Sequence, residues 1–220
     1  MLFSPQTRCA AFALALFFLM PLFASAQDNS GWIFKSEKDY VKVYYRKNSG
    51  IYELKLVTSL KTSASGLVLL FSEVDLYPKW GYKIMESRLL RKVSDHEVYY
   101  YSKIDFPWPM NDRDIIMHTR LEQDPDTKQV IATSVAVPDY IPENPDVIRI
   151  KNAHTTWTLI SGKDGWLYAE YYIFTDPGGN IPDWAVNLAL DMGPRETIKR
   201  IRGIIQQPKY QSVKLAYIKE

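Results

Sequence analysis

Apolar and polar side chains alternate through residues 51–60 (IYELKLVTSL), with Tyr52, Leu54 and Leu56 set against polar partners. That period of two predicts a strand with one buried face. Two shorter extended runs precede it, Trp32 to Lys35 and Tyr40 to Arg46, and Asn48-Ser49-Gly50 supplies a turn. The period then changes. Leu67, Leu70, Phe71 and Val74 recur at helical spacing behind Thr62 or Ser63, either of which can cap a helix, and Tyr77-Pro78 is expected to end it. From Lys83 to Phe174 the alternation returns and predicts strands near 83–93, 96–105, 113–123, 129–137, 147–160 and 165–175. Short polar turns such as Ser94-Asp95 and Gly162-Lys163-Asp164-Gly165 join several of them, which predicts an antiparallel meander. The exception is 138–146 (PDYIPENPD), a stiff loop with three prolines. Past Asp176-Pro177-Gly178-Gly179-Asn180 a last helix begins near Pro182. Trp184, Leu188, Met192, Ile198, Ile201 and Ile205 form its apolar stripe; Pro194 should kink or split it, and Pro208 should end it before a polar tail.

One large antiparallel sheet must bury its apolar face against another layer, and only the last helix is long enough to cover it. The pattern therefore predicts an α+β architecture: a curved antiparallel sheet wrapped around a long C-terminal helix. Any space left unfilled between the two layers becomes an internal hydrophobic cavity.

Composition adds a leader and removes several chemistries. Arg8 is the only charge before Asp28, and an apolar core ends in Ala24-Ser25-Ala26. That is the form of a signal peptide, predicted over residues 1–26 with cleavage after Ala26. The stretch is short for a bilayer span and is broken by Pro21. Residues 27–220 then form a single domain, exported to the periplasm or the extracellular space. Cys9 is the only cysteine, so the processed chain has no disulfide, thiol nucleophile or cysteine-bound metal. Removing Arg8 leaves 26 basic and 25 acidic side chains, a balance that gives no reason to expect nucleic acid. Histidines 96, 118 and 154 are far apart, no further metal ligands gather with them, and no cofactor is expected.

The connection 106–118 (FPWPMNDRDIIMH) is unusual for a meander. Pro107 and Pro109 cannot sit inside a paired central strand, and Asn111-Asp112 form turns readily, so this is a rigid, aromatic-bearing link between strands. Together with Ile148-Arg149 after the proline-rich loop, and DPGGNIPDWAVN at 176–187 before the final helix, it resembles the START (StAR-related lipid-transfer) domain family. The likeness runs from WIFK at 32–35 to Ile205. The resemblance implies the helix-grip fold and a tunnel holding one lipid or other hydrophobic molecule, usually without chemistry. It also implies a gate formed by loop 138–146 and the last helix. Sterol-carrying members oppose an acid and a base in the tunnel. The corresponding positions here are Tyr100 and Thr119, whose hydroxyls can bond a polar head.

The expected ligand-binding residues are Tyr100, Met117, Thr119, Arg149, Trp157, Trp184, Leu188 and Met192. Arg149 has two readings: a fork for a carboxylate or phosphate, or a structural arginine paired with Glu170 or Asp105. Arg113 and Asp114 are read as fastening the Pro-Trp-Pro link, and Trp108 as either a tunnel-mouth residue or a packing plug. The function expected is binding, and transfer or sequestration, of one lipid or other hydrophobic small molecule by a non-catalytic monomer in transient contact with membrane surfaces. The alternative is a cyclase- or aromatase-like enzyme using Tyr100, His118, His154 and Glu170. A third reading, an interaction module with exposed tyrosines, requires a filled core.

Overall fold

The computed structural model describes residues 31–48 and 50–220; the side chains of Asn48, Asp183, Asn187, Leu188 and Asp191 lie outside that description, as does the predicted leader with Cys9. In β3 (Ile51–Lys61), Leu56, Thr58 and Leu60 are buried while Ser59 and Lys61 are exposed, as a strand with one covered face requires. The same alternation places Val41 and Val43 of β2 (Val41–Asn48), Met117 of β6 (Arg113–Gln123), Leu159 of β9 (Asn152–Ser161) and Ala169 of β10 (Trp166–Asp176) on the covered face. Five further strands complete the sheet among the described residues: β1 (Ile33–Lys38), β4 (Ile84–Ser94), β5 (Glu97–Ile104), β7 (Val130–Ala136) and β8 (Ile148–Arg149).

The strand order is β1-β2-β3-β10-β9-β7-β6-β5-β4. All neighbours on that path are antiparallel, and the meander expected from the tight turns is present. The predicted strand 147–160 is in fact two. Ile148 and Arg149 pair in parallel with Arg113 and Asp114, where β6 runs past the end of β7, and β9 then joins β7 and β10. The local reason is that Ile148 and Ile150 donate their backbone N–H groups to Asp112 and Asp114, which holds this piece beside the outer reach of β6.

Ser63 caps α1 (Ala64–Ser72) by accepting the Gly66 N–H at 3.0 Å. The first helix ends at Ser72, earlier than Tyr77-Pro78, and a short α2 (Tyr77–Trp80) follows. The last helix, α3 (Asp183–Ile204), runs on through Pro194 instead of splitting, with Pro182 just before its first turn. The tail is not a loose polar end. Tyr210 of α4 (Pro208–Ser212) and Ile218 are buried, and a Cβ on Gly66 would lie 2.3 Å from the Tyr210 carbonyl oxygen, so only glycine permits this approach of α1 to α4. The Glu220 carboxylate accepts the Ser65 and Ala64 N–H groups at 2.9 and 3.2 Å, at the start of α1.

Candidate lipid site

The inner face of the sheet and α3 enclose two unlike regions. At the C-terminal half of α3, Ile198, Ile201 and Ile205 are fully buried against Leu56, Leu60, Leu67, Leu167 and Tyr210 in one closed core. At its N-terminal half, Ala185, Val186, Ala189 and Leu190 line a cavity of about 580 Å³. The opposite wall carries Leu54, Ile104, Ile150 and Ile173, and the rim is made by Gly50 to Tyr52, Phe106-Pro107 and Pro177 to Ile181. That volume lies within the usual range for a small-molecule site, roughly 300–1,000 Å³.

Two residues of the predicted stripe, Trp184 and Met192, turn away from this cavity. Trp184 and Met192 are about half exposed, at 50% and 49%, and neither lines the cavity; the Leu188 side chain lies outside the described residues. The residues turned inward are mostly small, and their smallness is what leaves the space.

Tyr100, Met117, Thr119 and Trp157 do not line that cavity either; they stand on the inner face of the sheet beside it. Tyr100 and Met117 are directly paired across β5 and β6, and both pack with Ile104 and Ile150 of the cavity wall. Thr119 and Ser134 bond each other at 2.6 Å, and the Tyr100 hydroxyl meets both. Burial pushes the Tyr100 phenol up to about 12 against the pull of those hydroxyls. On β10, four strands along the sheet from Tyr100, the Tyr171 phenol is raised by burial and by Tyr100, against a bond with Thr155. Tyr100 and Tyr171 are partly buried and pack against the main core.

Around these hydroxyls stands an aromatic cluster that sequence periodicity could not assemble. Trp157 stacks on Tyr171 at 4.1 Å between centroids, Phe71 lies 5.0 Å from Trp157, and Tyr77 is 4.7 Å from Trp80 and 5.1 Å from Tyr100. The Tyr77 hydroxyl donates to the Phe71 carbonyl, and burial raises its pKa strongly. The indole N–H of Trp80 is buried without a partner among the described residues. The cluster draws on α1, α2, β5, β9 and β10, which only the tertiary fold unites.

Arg149 does not line the cavity. Its Nε and Nη2 donate to the two Asp114 carboxylate oxygens at 2.7 and 2.9 Å, and the remaining N–H groups reach the carbonyls of Pro138, Ile141 and Pro142. All five donors are used, in a pair buried on the outer side of the sheet. The partner is Asp114, not Glu170 or Asp105. Loop 138–146, expected to form a gate with the last helix, is held by Arg149, and none of its residues lines the cavity.

The mouth is gathered by Arg113 instead. Its guanidinium donates to the carbonyls of Asn111, Pro177 and Gly178 and lies 4.1 Å from the Phe106 ring, so one buried cation ties the Pro-Trp-Pro link to the loop before α3. Gly178 and Gly179 adopt φ of +65° and +70°, a backbone form that suits glycine. Trp108 is not a packing plug: it is 89% exposed, between mouth-lining Pro107 and the cis-bonded Pro109.

The candidates for chemistry are divided by the sheet. Tyr100 is inside. His118 stacks on Tyr99 at 4.2 Å and bonds Glu97 at 2.7 Å on the outer face; His154 lies beside Tyr172 and Thr156 on that face, and Glu170 alternates outward between Ala169 and Tyr171. Among the described residues, no group of three or more His, Cys, Asp or Glu could hold a metal. No described helix is long and apolar enough to cross a membrane.

With this geometry, comparison with known proteins is decisive. The sequence model of the START domain matches residues 23–210. The chain belongs to the START domain family. It is 32% identical to an uncharacterised protein of Pseudomonas aeruginosa, across 80% of this chain and 87% of that one. Mouse phosphatidylcholine transfer protein is 32% identical over 69% of this chain and 72% of its own. Among solved structures, a STAR-related lipid transfer protein from Xanthomonas axonopodis superposes with a TM-score of 0.73 at 31% identity, covering 80% of this chain and 99% of that one. Human STARD10, at 18% identity and a TM-score of 0.68, shares the fold. Lipid binding in the helix-grip interior is the activity that this membership carries.

Proposed function

We propose that this START domain carries one lipid without altering it. The apolar part of the lipid fills the cavity beside Ala185 and Ala189, and its polar head reaches the hydroxyl row of Tyr100, Thr119 and Ser134. The single observation that supports this most is the pairing of an empty apolar volume with a buried aromatic and hydroxyl cluster directly behind its wall. An apolar wall with a few convergent polar groups is what fixes the orientation of an amphiphile. The relatives named for phosphatidylcholine transfer make a phospholipid the first ligand to test. The non-catalytic reading is favoured because three of the four candidate acid/base residues stand on the outer face of the sheet, away from any molecule in the cavity.

The lipid enters at the mouth rather than beneath loop 138–146. Phe106 and Pro107 line the opening and Trp108 projects from it, and an exposed tryptophan there suits brief contact with a membrane interface. The leader would deliver the protein outside the cytoplasm, where it acts as a monomer.

Native mass spectrometry of the purified protein, with solvent extraction, is expected to find one lipid per chain, and vesicle assays to show transfer. Ala185→Phe should abolish both while leaving the fold intact. Recovery of empty protein from lipid-rich cells, with full transfer by Ala185→Phe, would sink the proposal. Replacement of His118 or His154 by alanine should leave both readouts unchanged, whereas a converted lipid product that disappears in those variants would establish catalysis.

A further inference from the structure

A second concave region lies at the other end of the sheet. It is a groove of about 890 Å³ on the rim and outer face, lined by Lys42, Val57, Lys61, Trp166 and Tyr168, with Tyr40 at its edge and Arg202 of α3 behind it. It does not belong to the lipid cavity, since no residue lines both. Along α3, Ala185 of the cavity and Arg202 of the groove are 17 residues apart, or about 25 Å at the helical rise.

Three observations set this groove apart. The first is its aromatic content: Tyr40 is 84% exposed, Trp166 48% and Tyr168 37%, and Ile160 is paired directly with Tyr168 on the same face. Tyr40 is the second residue of a hairpin turn in which Asp39 and Tyr40 have φ of +53° and +58°, an uncommon backbone for a bulky side chain. The turn thus holds an aromatic ring out in water that no packing requires. The second is charge. Of the four charged side chains lining the groove, Lys42, Lys61 and Arg202 are cations and only Glu37 is an acid, 4.0 Å from Lys42; Glu170 lies beyond, opposite Val57.

The third is that two of these cations are fixed without a carboxylate at salt-bridge distance among the described residues. Arg202 donates to the carbonyls of Asp39 and Tyr40 and to the Thr58 hydroxyl, so it supports the turn while keeping its charge. Lys61 reaches the Asp164 carbonyl and lies 5.3 Å from the Trp166 ring. Neutral acceptors position both cations and leave the charge uncancelled.

We propose that this groove is a docking surface for a bilayer carrying anionic phospholipid, separate from the mouth through which lipid passes. Tyrosine and tryptophan prefer the level of the headgroups, because one end of each ring system is apolar and the other polar. Lysine and arginine close to an anionic leaflet add favourable charge. The groove offers both in alternation: Tyr40 and Trp166 enter the interface, and Lys42, Lys61 and Arg202 meet lipid phosphates. Attached in this way, the domain keeps its cavity mouth, about 25 Å along α3, free for exchange.

The test uses the full processed chain and sedimentation with vesicles of phosphatidylcholine alone or with phosphatidylglycerol added. Binding should require phosphatidylglycerol and weaken with salt. Lys42→Gln with Lys61→Gln should lower the affinity about 30-fold, roughly fivefold for each cation near the surface. A dye on Tyr40→Cys should shift to the blue when phosphatidylglycerol vesicles are added, and a dye on Trp108→Cys should not need them. Each variant is first checked for lipid content by native mass spectrometry, so that a folding defect or an empty cavity is told apart from lost docking. Unchanged vesicle affinity in the double lysine variant overturns the proposal. So does a silent dye at residue 40, or equal binding of monomeric short-chain phosphatidylglycerol, which would make the groove a pocket for a soluble anion. A concentration-dependent dimer that loses the groove aromatics from solvent would assign it to a second copy of the chain and overturn it equally.

Discussion

The two halves of α3 meet the same sheet with opposite results. Toward its C-terminus, Ile198, Ile201 and Ile205 fill the space completely and make an ordinary core with α1 and α4. Toward its N-terminus, Ala185, Val186 and Ala189 face a wall of Leu54, Ile104 and Ile173 and leave a cavity. A packed interior loses dispersion contacts and apolar burial wherever a void remains, so the open half forgoes stability that the closed half provides. One helix therefore serves as core and as tunnel wall, and the switch between the roles is set by side-chain size.

The largest effect expected is at the outer support of the open half. Arg149→Ala leaves Asp114 buried without its partner and should cost about 3–5 kcal/mol in urea unfolding. Hydrogen exchange should show protection lost first around 113–118 and 148–153, next to cavity-lining Ile150, while the α1–α4 region stays protected. Equal loss at both ends would mean that the two halves are not separable.

A direct comparison within α3 comes next. Ile201→Ala should cost about 2–5 kcal/mol, because the hole it leaves is walled by packed side chains. Val186→Ala borders space that is already empty and should cost less than about 1.5 kcal/mol in lipid-free protein. Filling is the converse. Ala185→Phe should cost less than the 1–3 kcal/mol typical of an overpacked core, while reducing lipid transfer at least tenfold. A severe stability loss there would show that the space is not free.

How much of this was legible beforehand follows from range. Most strands, a cap at Thr62 or Ser63 and the meander depend on neighbours within a few residues, so periodicity and turn chemistry exposed them. The isoleucine stripe of α3 was legible for the same reason. Its other half was not, because Trp184 and Met192 draw the eye to an apolar face while the cavity is made by alanines, whose significance is the absence of bulk. Tyr100 and Thr119 were placed together by the family resemblance, not by periodicity. Trp80 and Phe71 could not be joined to Trp157 and Tyr171, since their contact depends on how α1 and α2 fold onto the sheet. Arg149 was half legible: its fork suggested a carboxylate partner, but choosing Asp114 required the parallel pairing of β8 with β6.

The smallest effect tests whether the layer between the two halves is dry. Burial raises the Tyr100 phenol from the ordinary value near 10 to about 12, so the folded protein holds its proton where the unfolded chain has lost it. Below about pH 10 both states are protonated and the stabilisation is complete. As pH rises from about 10 to about 12, the unfolded state binds fewer protons than the folded one, and stability falls by up to about 1.4 kcal/mol per pH unit from this group. Tyr100→Phe should remove that share of the alkaline slope and change stability at neutral pH by only about 1 kcal/mol, because Thr119 and Ser134 continue to bond each other. Bound lipid should carry the loss to higher pH, since filling the space beside Tyr100 removes what water could solvate a phenolate. An identical slope in both proteins would mean that water already reaches the hydroxyl row, and the polar end of the cavity would then belong to the open half rather than divide it from the closed one.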